Sequence, residues 1–253
     1  VQYPVRSRQF KAEEYMGKIV LFVFLTAGLN TAFGEALSLD EVRQKLLSSK
    51  PDLPILKVSH SPLEGFYQVT LPAGNILYVT EDVRHFIAGD LYQVNSSHLV
   101  NLTETERSTN RKEMIASVNP SEMLIFAPPQ TKASVTVFTD VDCSYCRKLH
   151  REVPELNRMG IAIRYLAYPR AGIHSASYDK IVSAWCADNP QVALTKAKMG
   201  QEIPAKTCDN PVAKQFQLGN ELGVTGTPAL VLDDGRLLPG YMPAAELAKL
   251  LDM

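Results

Sequence analysis

Two cysteines three positions apart, Cys143-Ser144-Tyr145-Cys146, stand at a junction between two kinds of local sequence. Before them runs an apolar, β-forming stretch, Val135-Thr136-Val137-Phe138-Thr139; after them comes a helix-forming one, Arg147-Lys148-Leu149-His150-Arg151-Glu152. Thiols so spaced can close into a small disulfide ring. The first also falls on a helix N-terminus, where free N–H groups and the helix dipole favour thiolate over thiol. A chain with this junction must place strand, turn and helix in succession around a reactive sulfur, so thiol–disulfide chemistry is the first expectation.

A CxxC pair can also be half of a zinc site, but structural zinc takes four ligands, usually from a second such pair. The other two cysteines, Cys186 and Cys208, are isolated from one another and have no histidine at motif spacing. No metal and no cofactor is therefore expected. In an oxidising compartment Cys186 and Cys208 are most simply a structural disulfide, closing a loop for roughly 3 kcal/mol, with two free thiols as the alternative. A net charge of −1 gives no basic excess to attract nucleic acid.

The compartment is read from the N-terminus. Ile19 to Leu29 is apolar, follows Met16-Gly17-Lys18 and leads to Ala32-Phe33-Gly34, with small residues at the two positions a signal peptidase reads. This fits a secretory signal cut near Gly34-Glu35, with Met16 as a candidate true start, and is short for a spanning helix. Residues 1–34 are accordingly read as an N-terminal extension and signal peptide, and the remainder as an exported, periplasmic protein. An uncleaved membrane anchor is the alternative.

Beyond the signal, Ser38 and Glu41 frame a capping box for a helix to about Ser48. Short β-forming runs follow at 66–71, 75–79, 85–88 and 91–94, separated by turn residues, which predicts a helix and an antiparallel meander over 35–100. A unit this small gains stability by pairing with a copy of itself. Residues 101–123 are polar, with a sparse apolar face at Met114, Ile115 and Val118, and read as a solvated linker helix. From 124 to 253 the order changes to strand, helix, strand, a mostly helical stretch over 175–200, a helix over 211–222, a hairpin at 229–238 and a last helix with Pro243 in its first turn. That order describes an α/β thioredoxin fold with a helical insertion.

Within it, Cys143 is the candidate nucleophile and Cys146 the resolving thiol. Arg147 and Lys148 are expected to favour the thiolate and Asp142 to oppose it. Gly226-Thr227-Pro228 precedes a strand. In thioredoxin-type folds a proline so placed packs beside the reactive pair in cis, and its neighbour offers backbone atoms to substrate. Thr227 and Pro228, with Tyr145, are therefore the candidate substrate-binding residues. His150 reads as a surface or packing residue and not a base, and Trp185 as a core residue.

These features together resemble the DsbC/DsbG family of bacterial periplasmic disulfide isomerases. The resemblance rests on Thr136 to Asp140, Cys143 to Cys146, Lys148-Leu149-His150, Arg164 to Ala167, Pro169-Arg170, Trp185-Cys186-Ala187, Val224, Gly226 to Ala229 and Leu238 to Tyr241, and in the front half on Leu77 to Thr80 and Tyr92. It implies a homodimer built on a cystatin-like α+β dimerisation domain, a linker helix and a thioredoxin-fold catalytic domain. It further implies misfolded, disulfide-containing clients and a DsbD-type membrane reductase that keeps Cys143 and Cys146 reduced. The dipeptide Ser144-Tyr145 replaces the family's usual Gly-Tyr, and Asp142 and Arg147 replace the usual Thr and His. A dithiol oxidase and a DsbG-type holdase chaperone are the rival readings.

Overall fold

Ser38 caps the first described helix. In the computed structural model, which describes residues 36–253, the Ser38 amide donates to Glu41 Oε2 at 2.8 Å and the Glu41 amide donates to Ser38 Oγ at 3.3 Å. This reciprocal box starts helix α1, Leu39–Ser49. The signal-peptide expectation falls on residues outside those described, and no described helix is long and apolar enough to cross a membrane.

Helix α1 lays Leu46 and Leu47 on a small core of Ile55, Val69 and Val79. Ile55 lies just before β1 (Lys57–His60), while Val69 and Val79 come from β2 (Phe66–Thr70) and β3 (Ile76–Thr80); with β4 (Phe86–Ala88) these strands form an antiparallel sheet in that spatial order. The expected meander is present with two differences. Strand β1, too polar to be read from its residues, supplies one edge. The run at 91–94 does not extend the sheet: β5 (Tyr92–Val94) pairs instead with β6 (Leu99–Asn101) as a separate two-stranded ribbon. Phe86, Ile87, Tyr92, Val94 and Leu99 remain exposed along β4 and this ribbon.

Asn101 caps helix α2, Leu102–Ala116, by accepting from the Glu104 amide. This helix is less solvated than its composition suggests. Thr103 is fully buried, where it meets the Tyr78 hydroxyl at 2.6 Å and accepts from the Leu91 amide at 2.7 Å. Arg111 is only 6% exposed and donates to the backbone oxygens of Leu222 and Gly235, both at 3.3 Å, while pairing with Glu104 at 2.7 Å. Gly235 accommodates this docking: at φ +86° it has no side chain, and an added Cβ would sit 1.8 Å from the Ser108 carbonyl oxygen.

The second half is a five-stranded sheet ordered β11-β10-β8-β9-β7. Its strands are β7 (Leu124–Phe126), β8 (Ala133–Thr139), β9 (Ile161–Ala167), β10 (Ala229–Leu232) and β11 (Leu237–Pro239). β8 and β9 are parallel, a pairing that needs a crossover, and helix α3 (Ser144–Arg158) provides it. β7 is an edge strand of three residues, too brief to stand out in the sequence. The predicted helical stretch divides into α4 (Ala176–Trp185) and α5 (Pro190–Lys198), followed by α6 (Val212–Glu221) and α7 (Ala244–Leu250). Pro243 stands at the cap of α7, one position before the expected first turn. Helix α3 buries Leu149, Val153 and Leu156 against Val135, Val137, Ile163 and Leu230, forming the main core on one face of the sheet. Cys186, at the end of α4, is disulfide-bonded to Cys208 and so ties the insertion together.

Candidate active site

The reactive pair is set by the strand-to-helix turn. Cys143 caps α3: its sulfur accepts from the Cys146 amide at 3.4 Å, and its carbonyl accepts from the Arg147 amide at 3.0 Å. Both cysteines are reduced and buried, Cys143 at 3% and Cys146 at 0% exposure. The turn itself is held by Asp140, a buried carboxylate. It accepts from the Asp142 amide at 2.8 Å, the Arg170 amide at 2.9 Å and the Arg170 guanidinium at 3.3 Å.

Thr227 and Pro228 lie against this turn. Their peptide bond is cis, and the Cys143 thiol donates to the Thr227 carbonyl at 3.2 Å. Tyr145 is 59% exposed and stacks on Tyr241 with ring centroids 6.2 Å apart. The ammonium of Lys148 sits 4.3 Å from the centre of the Tyr241 ring, whose hydroxyl donates to the Glu152 carboxylate. Thus Cys143, Cys146, Thr227, Pro228 and Tyr145 converge on one locus, while Cys186 and Cys208 serve the insertion.

The two sulfurs have opposite environments. Hydrogen bonding from the Cys146 thiol, aided by the Thr227 side chain, the Cys146 amide and the charge of Arg170, overcomes burial and lowers Cys143 from 9.0 to about 5. Burial and the same contact with Cys143 push Cys146 strongly upward. At neutral pH this is one thiolate beside one thiol, the pattern thiol–disulfide exchange requires, with an attacking group and a protonated reserve.

The charge expectations need correcting. Arg147 is turned to the Val141 carbonyl and to Asp142, which Lys180 also engages, so Asp142 is neutralised. Lys148 is over Tyr241. Arg170 supplies the cation that acts on Cys143, from a strand-end loop distant in sequence. Two further residues were not singled out. Lys198 is buried at 3% exposure on the face of α5 that carries Ala193, Leu194 and Ala197, and a lysine on an apolar stripe is the signal that marks it. Thr139, at the end of β8, accepts its hydrogen bond at 2.6 Å. His150 packs as expected, edge-on to Phe126. Its ring bridges the Tyr165 hydroxyl at 3.1 Å and the Thr195 hydroxyl at 2.9 Å. Thr195 already donates to Gln191, so it accepts from His150 Nε2–H, and Nδ1 accepts from Tyr165. Among the described residues no group of three or more His, Cys, Asp or Glu side chains is arranged to hold a metal.

A thioredoxin fold with this dithiol at its strand-to-helix turn defines a thiol–disulfide oxidoreductase. Residues 120–253 match the thioredoxin-like domain, and residues 34–104 match the disulfide bond isomerase protein N-terminal domain. The chain is 37% identical over 238 residues to the thiol:disulfide interchange protein DsbC of Dickeya dadantii, covering 93% of this chain and 94% of that one. It is 34% identical over 231 residues to DsbC of Escherichia coli K12, with 90% and 94% covered. A crystal structure of a disulfide interchange protein from Neisseria gonorrhoeae aligns with 53% of this chain and 96% of its own, at 29% identity and a TM-score of 0.49. The chain belongs to the DsbC family.

Proposed function

We propose that this protein rearranges non-native disulfides in exported client proteins, with Cys143 as the attacking thiolate and Cys146 as the resolving thiol. One observation carries the assignment of roles: Cys143 is lowered to about 5 while its neighbour is pushed in the opposite direction. The Cys143 thiolate attacks a client disulfide, forms a mixed disulfide and expels one client sulfur. That sulfur or another client thiol can return to displace Cys143, which leaves a rearranged client. Otherwise Cys146 attacks Cys143, so that the client leaves with two more electrons and the enzyme is left oxidised. A DsbD-type membrane reductase then restores the dithiol.

The Thr227 backbone and cis Pro228, with the Tyr145 ring, form the surface on which we infer that an extended client segment lies. We further infer a division into a dimerisation domain over 35–100, a linker helix over 101–123 and a catalytic domain over 124–253, working as a homodimer in the periplasm after removal of residues 1–34. The exposed Phe86, Ile87, Tyr92, Val94 and Leu99 support pairing through the first domain, since an apolar edge of this kind is costly to leave in water. The test is refolding of scrambled ribonuclease. Cys143→Ala is expected to abolish rescue with the fold intact by circular dichroism, and full retained activity overturns the assignment.

A further inference from the structure

Lys198 is a charged side chain with 3% exposure and no assigned task. Burying an ammonium is expensive unless it is paired. Yet Asp140, the carboxylate whose charge it feels, is engaged by Arg170 instead. Among the described residues its one hydrogen bond runs to the Thr139 hydroxyl at 2.6 Å, and its nitrogen lies 5.2 Å from the centre of the Tyr165 ring. A lysine donates and cannot accept in its charged form, so Thr139 Oγ1 is the acceptor and its own hydrogen is free to point onward. Onward lies Cys146, whose sulfur the Thr139 side chain, the Asp140 amide and the Lys198 charge all favour as thiolate. Ammonium and hydroxyl thus form a donor pair that favours charge on the Cys146 sulfur, with its positive end in the protein interior.

We propose that Lys198 is a positioning residue for the resolving step: through the Thr139 hydroxyl its ammonium stabilises Cys146 as a thiolate, and so sets how often a mixed disulfide is resolved into reduced client instead of being rearranged. The inference rests on the roles assigned above to Cys143 and Cys146. In the step concerned, Cys146 gives up its proton to solvent and its sulfur bonds to that of Cys143. The bond between Cys143 and the client sulfur breaks, and the departing client thiolate takes a proton from water. The client is reduced by two electrons and the dithiol is oxidised by two.

The groups facing Lys198 are Cys143, Cys146, Asp140 and Arg147 around the turn, together with His150 of α3 and the Tyr165 ring of β9. Of these, Cys143 is already ionised at neutral pH and His150 is neutral, held to about 3 chiefly by burial. Burial also lowers Lys198 to about 8, so its charge is present at neutral pH and fades just above it.

The experiment uses the reduced full chain and dithiobis(nitrobenzoate), which releases one coloured thiolate when Cys143 attacks and a second when Cys146 resolves. Wild type with no first release refutes the roles assigned to the cysteines, independently of Lys198. Given that release, Lys198→Met is expected to slow the second release relative to the first and to move its rate–pH profile to higher pH. A tenfold loss of thiolate per pKa unit is partly offset by greater nucleophilicity, leaving about threefold per unit. A second-release profile superimposable on wild type overturns the proposal. Should Lys198→Met fail to fold, Thr139→Val decides the matter: the same alkaline displacement, reversed in Thr139→Ser, supports the relay, and an unchanged profile overturns it.

Discussion

The sulfur of Cys143 lies 3.2 Å from the backbone oxygen of Thr227, a residue 84 positions later. That oxygen can accept from a thiol but offers nothing to a thiolate. When Cys143 ionises, this bond is lost and the sulfur relies on the Cys146 thiol and amide and the Thr227 side chain. The Thr227 carbonyl is thereby released as the sulfur ionises, and is left with an open acceptor site.

Ultraviolet thiolate absorbance of the reduced protein should accordingly titrate with a midpoint of about 5 instead of 9.0. Cys146→Ala removes the largest stabilising contact and should raise that midpoint. An ionisation depressed on folding adds stability that is complete above the unfolded value and is lost as pH falls through the folded one. Reduced wild type should therefore gain stability relative to Cys143→Ala as pH rises from about 5 towards 9.0. A constant difference in denaturation midpoint across that interval would contradict the assignment.

His150 makes the opposite test at acid pH. Burial, with the Lys198 charge, holds it to about 3 from 6.5. The unfolded chain takes up the proton first, so stability should fall as pH drops from 6.5 towards about 3. His150→Leu is expected to flatten that decline in thermal melts. It should also cost about 1–3 kcal/mol near neutrality, because Tyr165 and Thr195 lose a partner. A decline as steep as that of wild type would count against it.

Arg111 should matter for the attachment of α2 and not for the chemistry. Arg111→Leu removes buried donors from the carbonyls of Leu222 and Gly235, and about 1–3 kcal/mol of local stability should go with them. Hydrogen exchange in α2 should quicken while the Cys143 titration stays where it is. Gly235→Ala, which forces a methyl against the Ser108 carbonyl, should act in the same direction. Exchange rates equal to wild type in both variants would show that the contact does not hold the helix.

Much of this was legible from residue order. Cys143 and Cys146 were legible because strand, turn and helix are local signals, and the Ser38–Glu41 capping box could be read for the same reason. Helix α6 falls within a residue of its predicted bounds, and strand β10 begins where the hairpin is expected. Strand β1 was hidden because Lys57 and His60 face solvent and only its pairing with β2 makes it a strand. The place of β5 was misjudged because pairing partners are not encoded in a three-residue run. The charges around Cys143 were misassigned for a related reason. Sequence neighbours such as Arg147 and Lys148 point elsewhere, while Arg170 and Lys198 arrive through the fold. Arg111 looked like one more solvated charge until the Gly235 turn closed over it.

The grip on Arg111 also governs reach. Helix α2 has 15 residues and so is a rod of about 22 Å. A rod fastened by Thr103 at its first turn and by Arg111 past its middle cannot pivot freely at either place. In an assembly of two such chains, the separation of the paired sulfurs would be dictated by geometry instead of by diffusion of a loose tether, and clients would be selected by span as much as by chemistry.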